Sequence, residues 1–171
     1  MKERLLLLLI KKVQIINEDK YLELFVQYWK NKGVQISGKP KYINNDVFFD
    51  GKDYSKIIIG DNVTISREVM FLTHDFSITT ALESIGSKIN KGNGEKYFLK
   101  EIIIGNNVFI GARSTILYGS EIGDNVIIGT GCVVKGKVPS NSIVIGNPCV
   151  IIGKTDEYAR KHIQLEDFFT Q

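Results

Sequence analysis

The sequence predicts an all-β coil of very short parallel strands, and three observations predict it. The first is a strict six-residue period. From Ile104 the chain reads IGNNVF, IGARST, ILYGSE, IGDNVI, IGTGCV, VKGKVP. Each block opens on a branched aliphatic residue: Ile104, Ile110, Ile116, Ile122, Ile128, Val134. The fifth place is apolar or small throughout: Val108, Ser114, Ser120, Val126, Cys132, Val138. The second observation is that Gly follows the opening residue in four of the six blocks. Gly and Asn suit corners, where the backbone takes unusual dihedrals. The third is that the frame recurs upstream at Ile59 (IGDNVT), Ile65 (ISREVM) and Phe71 (FLTHDF).

A fixed period marks a repeat architecture and is read before ordinary secondary structure. Six residues make one flat face and one corner, with places one and five turned inward. Three faces complete one turn of a prism, and successive turns stack their strands in parallel. Neither the helical period nor the two-residue alternation of a strand keeps this spacing. A structural solenoid without chemistry is the plain alternative.

Residues 1–33 carry no such period and form an N-terminal helical segment. Leu5–Ile10 is apolar but short, and Lys11 and Lys12 follow. It cannot span a bilayer and lacks the small-residue cleavage site of a signal peptide. It reads as a short helix whose leucines pack on the coil or on a neighbouring subunit, with a membrane-surface helix as the alternative. Glu18 to Lys30 reads as a second, amphipathic helix, with Tyr21, Leu22, Phe25, Val26 and Trp29 on one side. Gly33 ends it as a C-cap.

The coil domain spans residues 34–153. Ile43, Val47 and Phe49 fit inward places in its irregular first turns, and Asp50-Gly51 marks a turn. Residues 77–101, SITTALESIGSKINKGNGEKYFLKE, contain no hexads and form a loop extruded from the coil, long enough to be functional. His74 stands at its base, at an outward corner, open to a cleft. A neutral imidazole there can take the proton of a hydroxyl that is otherwise a poor nucleophile. Taken alone, His74 is a surface histidine at a turn.

The length of 171 residues fits one domain with appended helices. The net charge of +3 is too small to point to nucleic acid and is compatible with an anionic co-substrate. The second histidine, His162, lies outside the coil and reads as solvated. Cys132 and Cys149 read as small core residues, without a disulfide framework. With no targeting segment evident, a cytoplasmic protein is expected.

The runs IGNNVFIGARSTIL, IGDNVIIGTGCVV and VPSNSIVIGNPC resemble the hexapeptide-repeat acyltransferases. The resemblance covers about residues 34–153. It is strongest to the galactoside, maltose and xenobiotic O-acetyltransferase branch, and to the acetyltransferases of capsule and O-antigen clusters. It implies a left-handed parallel β-helix, a homotrimer with active sites between subunits, and acetyl-CoA as donor. The family's catalytic histidine corresponds to His74. The resemblance also implies acceptor contacts from Asn45 and Glu95. Asp75, where the galactoside branch has Pro, either orients His74 or binds the acceptor. Glu95 alternatively helps to position His74, or is part of a polar turn held by Gly94. Ala112, Gly129 and Thr130 match places where the pantetheine arm of the donor runs. Lys135 and Lys137 fall near its phosphates, with a solvated face as their alternative. The galactoside branch often carries Trp and Arg where this chain has Phe109 and Val150.

The same fold hosts zinc carbonic anhydrases, which need three histidine ligands. His74 is the only histidine in the coil, so no metal is expected. The function read from all this is acetyl-CoA-dependent O-acetylation of a saccharide or polysaccharide precursor, by direct transfer. The alternatives are N-acetylation of an amino-sugar nucleotide, xenobiotic acetylation and a non-catalytic trimeric scaffold. Residues 154–171 lose the period and read as a short helical tail capping the open coil end, with Phe168 and Phe169 arguing against fraying.

Overall fold

The computed structural model of the chain describes residues 2–89 and 92–165, with the side chains of residues 2–4 left out. Phe168 and Phe169 lie outside the described residues. The hexads build a three-sided prism. Its first face stacks Gln35–Ile36, Ile57–Ile59, Ile102–Ile104, Glu121–Ile122 and Lys137–Val138. The second stacks Tyr42–Ile43, Thr64–Ile65, Phe109–Ile110, Ile127–Ile128 and Ser142–Ile145. The third stacks Phe48–Phe49, Met70–Leu72, Thr115–Leu117 and Val133–Val134. The chain visits the three faces in turn and then climbs one coil.

Neighbouring strands pair in parallel within each face, as in Ile110 beside Ile65 and Ile128. Every opening and fifth-place residue from Ile104 to Val138 is buried. Ile43, Val47 and Phe49 are buried as well. The corners carry the conformational load. Asn62, Asn107, Asn125 and Asn141 all stand at positive φ, from 53° to 59°. Their side-chain amides hydrogen-bond upward in a ladder, at 2.9, 2.8 and 2.9 Å. At another corner, a Cβ on Gly111 would stand 2.6 Å from the Thr130 amide nitrogen, so close stacking excludes a side chain.

Helix α1 (Lys2–Val13) and helix α2 (Glu18–Lys32) precede the coil. The Asn17 side chain accepts from the Lys20 amide at 2.8 Å and caps α2. Gly33 closes α2 at φ 111°. Tyr21, Leu22, Phe25 and Trp29 are buried, with Trp29 4.7 Å from Phe49 and Phe49 stacked on Phe71 at 5.2 Å. Helix α2 therefore plugs the first open end of the coil. Helix α1 packs on α2 rather than on the coil, burying Ile10 and leaving Leu5, Leu6, Leu8 and Leu9 about half exposed. Among the described residues no helix is long and apolar enough to cross a membrane.

The Tyr21 hydroxyl donates to the Ile43 carbonyl at 2.8 Å in the buried interior. Desolvation first, then the Tyr42, Asp46 and Glu18 charges, push its pKa up. The native chain thus keeps a proton that the unfolded chain loses above about pH 10. Stability is complete below that pH. Above it, stability falls by about 1.4 kcal/mol per pH unit. Denaturant midpoints taken across this range measure the slope, and Tyr21→Phe removes this residue's share of it.

The extruded segment differs from the expected loop. His74–Asp75 pairs antiparallel with Phe98–Leu99, and helix α3 (Ser77–Ser84) follows the first of these strands. The segment is an arm with a hairpin root. Two threonines and an isoleucine within eight residues hid the helix, since β-branched residues lower helix propensity. At the far end, Val150–Lys154 turns back antiparallel onto Ser142–Ile145. Helix α4 (Thr155–Leu165) follows and buries no residue of its own, and residues 166–171 of the expected cap lie outside the described residues. His162 is half-buried, with its ring 4.2 Å from Tyr158, rather than simply solvated. With four α-helices beside the coil among the described residues, all-β describes the prism but not the whole chain.

Candidate active site

The third face ends at one corner with three residues that the coil brings together. Asp50 follows Phe48–Phe49, and Thr73 and His74 follow Met70–Leu72 one coil higher. Asp50 is 5% exposed. Its Oδ2 accepts from the Thr73 amide and hydroxyl, each at 3.0 Å, and from the His74 amide at 3.3 Å. The same oxygen meets His74 Nδ1. An ionised carboxylate can only accept, so the hydrogen resides on Nδ1 and Nε2 is left as the proton acceptor. The His74 side chain is 26% exposed at the root of the arm. Phe76 meets the imidazole edge-on at 5.3 Å.

Asp75 does not orient His74. It accepts from the Ser77 amide at 2.7 Å at the start of α3. That bond and the Ser77 hydroxyl hold its carboxyl below the usual range, against slight desolvation, with smaller help from Tyr118 and Lys135. Lys135 donates to the Tyr118 hydroxyl at 3.1 Å, and Tyr118 stacks on Phe98 at 5.7 Å. Lys135 therefore supports the arm's root. Lys137 lies on the first face, paired with Glu121 at 2.8 Å, and that hydrogen bond raises its pKa.

Ala112, Gly129 and Thr130 stand at the corner where the chain passes from the second face to the third. The Gly131 amide donates to the Ala112 carbonyl at 2.8 Å, stacking the two coils closely. Beside them lies a cleft of about 260 Å³ lined by Arg67, Glu68, Ala112, Arg113 and Thr130. Arg113 pairs with Glu68 at 2.7 Å. Asn45 occupies the same corner in the first coil, donating to Gln14 Oε1 at 2.5 Å. Glu95 lies out on the arm and accepts from the Gly92 amide at 3.2 Å.

One chain thus sorts seven of the nine expected site residues onto two corners, with Glu95 out on the arm and Lys137 on the first face. His74, Asp75 and Lys135 share one; Asn45, Ala112, Gly129 and Thr130 share the other. The third face separates them by roughly 15 Å, at the rise of a strand. Asp50, read from the sequence only as part of a turn, and Arg67 and Arg113 were not singled out as site residues. The signal for Asp50 was faint: FFD ends its coil as FLT ends the next. Among the described residues no group of three or more His, Cys, Asp or Glu is placed to hold a metal.

A three-faced coil of parallel strands built on six-residue repeats defines a class, the hexapeptide-repeat transferases. The bacterial transferase hexapeptide (six repeats) family matches residues 101–136. The chain belongs to this hexapeptide-repeat family, and its relatives lie in the sugar O-acetyltransferase branch.

Galactoside O-acetyltransferase of Escherichia coli (strain K12) is 34% identical over 127 residues, covering 74% of this chain and 56% of that protein. Protein CapG of Staphylococcus aureus is 35% identical over 130 residues, covering 67% of this chain and 66% of that protein. The chain thus spans less than two thirds of the length of either relative. Among solved structures, a maltose O-acetyltransferase from Clostridium difficile 630 superposes with TM-score 0.59 at 25% identity, covering 90% of this chain and 86% of that one. A galactoside acetyltransferase in complex with coenzyme A gives TM-score 0.61 at 22% identity, covering 99% and 88%. That second likeness is one of fold.

Proposed function

We propose that the protein is an acetyl-CoA-dependent O-acetyltransferase that modifies a hydroxyl of a saccharide or polysaccharide precursor. The observation that carries this reading is the His74–Asp50 pair at the root of the arm. The acceptor oxygen attacks the thioester carbonyl while His74 Nε2 takes the hydroxyl proton. The tetrahedral intermediate then collapses, the C–S bond breaks, and the imidazolium returns its proton to the departing sulfur. The products are an acetyl ester and free coenzyme A. Asp50 holds the ring in its tautomer and balances the imidazolium formed in between. A backbone N–H of the coil supplies the oxyanion contact. No acyl-enzyme is required.

The donor's pantetheine arm runs along Ala112, Gly129 and Thr130, where small side chains admit it to backbone amides. Arg67 and Arg113 line the cleft beside this path, where they can meet the donor's phosphates. The resemblance implies a left-handed coil, and the two-corner arrangement supports its assembly as a homotrimer, in which one subunit's His74 meets the donor corner of the next. Asn45, Asp75 and Glu95 are the acceptor contacts of this reading. The reaction belongs in the cytoplasm, where acetyl-CoA is supplied.

Release of free thiol tests the reading, with the purified chain, acetyl-CoA and a panel of sugars, amino sugars and chloramphenicol. The expected product is an ester that hydroxylamine cleaves. A hydroxylamine-resistant amide would move the reading to N-acetylation. Absence of both thiol release and acetyl-CoA binding would leave a scaffold.

A further inference from the structure

The arm carries a feature that general-base chemistry does not use. Phe76 and Tyr97 stand on opposite sides of its hairpin root, with ring centroids 4.8 Å apart. Each is more than one third exposed, at 37% and 39%. Both rings approach His74, Phe76 at 5.3 Å and Tyr97 at 6.3 Å, each nearly perpendicular to the imidazole. Lys52, two residues beyond Asp50, holds its ammonium 4.7 Å from the Tyr97 ring centre and 5.7 Å from that of Phe76. Lys52 is exposed, and among the described residues these rings are its partners.

We propose that Phe76, Tyr97 and Lys52 form an acceptor subsite that selects an anionic saccharide. The inference rests on the acetyltransferase reading and adds to it the chemical class of the acceptor. Two exposed aromatic rings in tilted contact, 36° between their planes, present an apolar shelf that is costly to leave in water. The C–H face of a pyranose fits such a shelf, and a sugar lying there presents its hydroxyls to the neighbouring imidazole. The ammonium marks what else the sugar carries. An exposed cation on a ring face is held weakly, and a carboxylate or phosphate holds it far better through charge-assisted hydrogen bonds. An acceptor with an acidic group thus takes the place of the ammonium on the rings and pairs with it at their edge. A neutral sugar that displaced the ammonium would leave it without a partner. Selection arises from that difference.

The test compares matched acceptors: a neutral glucoside, the corresponding glucuronoside and the corresponding sugar phosphate. Binding to the full-length chain is read by saturation-transfer NMR and calorimetry, and acetyl transfer by thiol release. Wild-type protein is expected to favour an anionic member over the glucoside by about tenfold or more. The glucuronoside and phosphate arms distinguish a carboxylate from a phosphate as the recognised group. Lys52→Met should bring the ratio close to one, Lys52→Arg should keep it, and added salt should shrink it. Phe76→Ala with Tyr97→Ala should weaken all three ligands together.

Equal binding of neutral and anionic acceptors, or a preference untouched by Lys52→Met, would overturn the inference and leave the acetyltransferase reading standing. A Lys52-dependent preference in binding, without thiol release from any acceptor, would uphold the subsite and count against the acetyltransferase reading instead.

Discussion

Replacing His74 with Ala is expected to lower kcat for acetyl transfer by about three orders of magnitude or more. Two losses combine. The acceptor hydroxyl no longer has a base, and the imidazolium that hands its proton to the departing sulfur is gone. In this reading His74 holds neither the pantetheine arm nor the phosphates of the donor, so acetyl-CoA affinity should stay within about twofold. His74 is partly exposed and pairs only at the arm's root, so the coil should fold as before. The measurement is single-turnover thiol release beside acetyl-CoA binding. Unchanged transfer by the variant would remove His74 from the mechanism.

The second large effect is expected at Asp50. Asp50→Asn keeps the size of the side chain and can keep an oxygen toward the Thr73 amide and hydroxyl. The same oxygen still accepts from His74 Nδ1, so the ring keeps its tautomer. The charge that balances the imidazolium is gone, and Nε2 becomes a weaker base. We expect kcat to fall by about two to three orders of magnitude with little change in melting temperature. Asp50→Ala should do more, because the Thr73 amide, the Thr73 hydroxyl and the His74 amide all lose their acceptor. Each orphaned donor costs about 1–3 kcal/mol. The arm's root should loosen, and melting should fall along with activity. A loss in the Ala variant alone would make Asp50 a structural anchor and not the partner of the base.

The sequence made the coil legible because its signal is local. A place in the hexad decides which way a side chain points, so Ile104 and Ser114 could both be placed inside from spacing alone. Helix α2 was legible for the same reason, through its apolar side and Gly33. The pairing of Asp50 with His74 was not. It spans one full coil, and the irregular early turns blur the frame that would have aligned Asp50 beneath His74. Asp75 sits next to His74 in sequence and drew attention for that, yet its carboxyl turns to the Ser77 amide and not to the imidazole. Lys137 shows another limit. The period places it on the outer side of the first face, but only its neighbour one coil below, Glu121, decides what its charge does. Helix α3 was hidden by residues that favour strands, and the two-corner sorting of the site needed the order of the faces.

The hairpin root of the arm has a consequence for how this chain can diverge. The strand after the arm, Ile102–Ile104, takes its register from Ile57–Ile59 on the coil below. It does not take it from anything between Phe76 and Tyr97. The arm is therefore a cassette, spliced in at His74–Asp75 and closed by Phe98–Leu99. Residues within it can be exchanged, added or lost while the ladder continues undisturbed above. On the proposed reading, substrate choice and scaffold can therefore change separately. One prism can serve a succession of acceptors while its base, its Asp50 partner and its donor corner stay as they are.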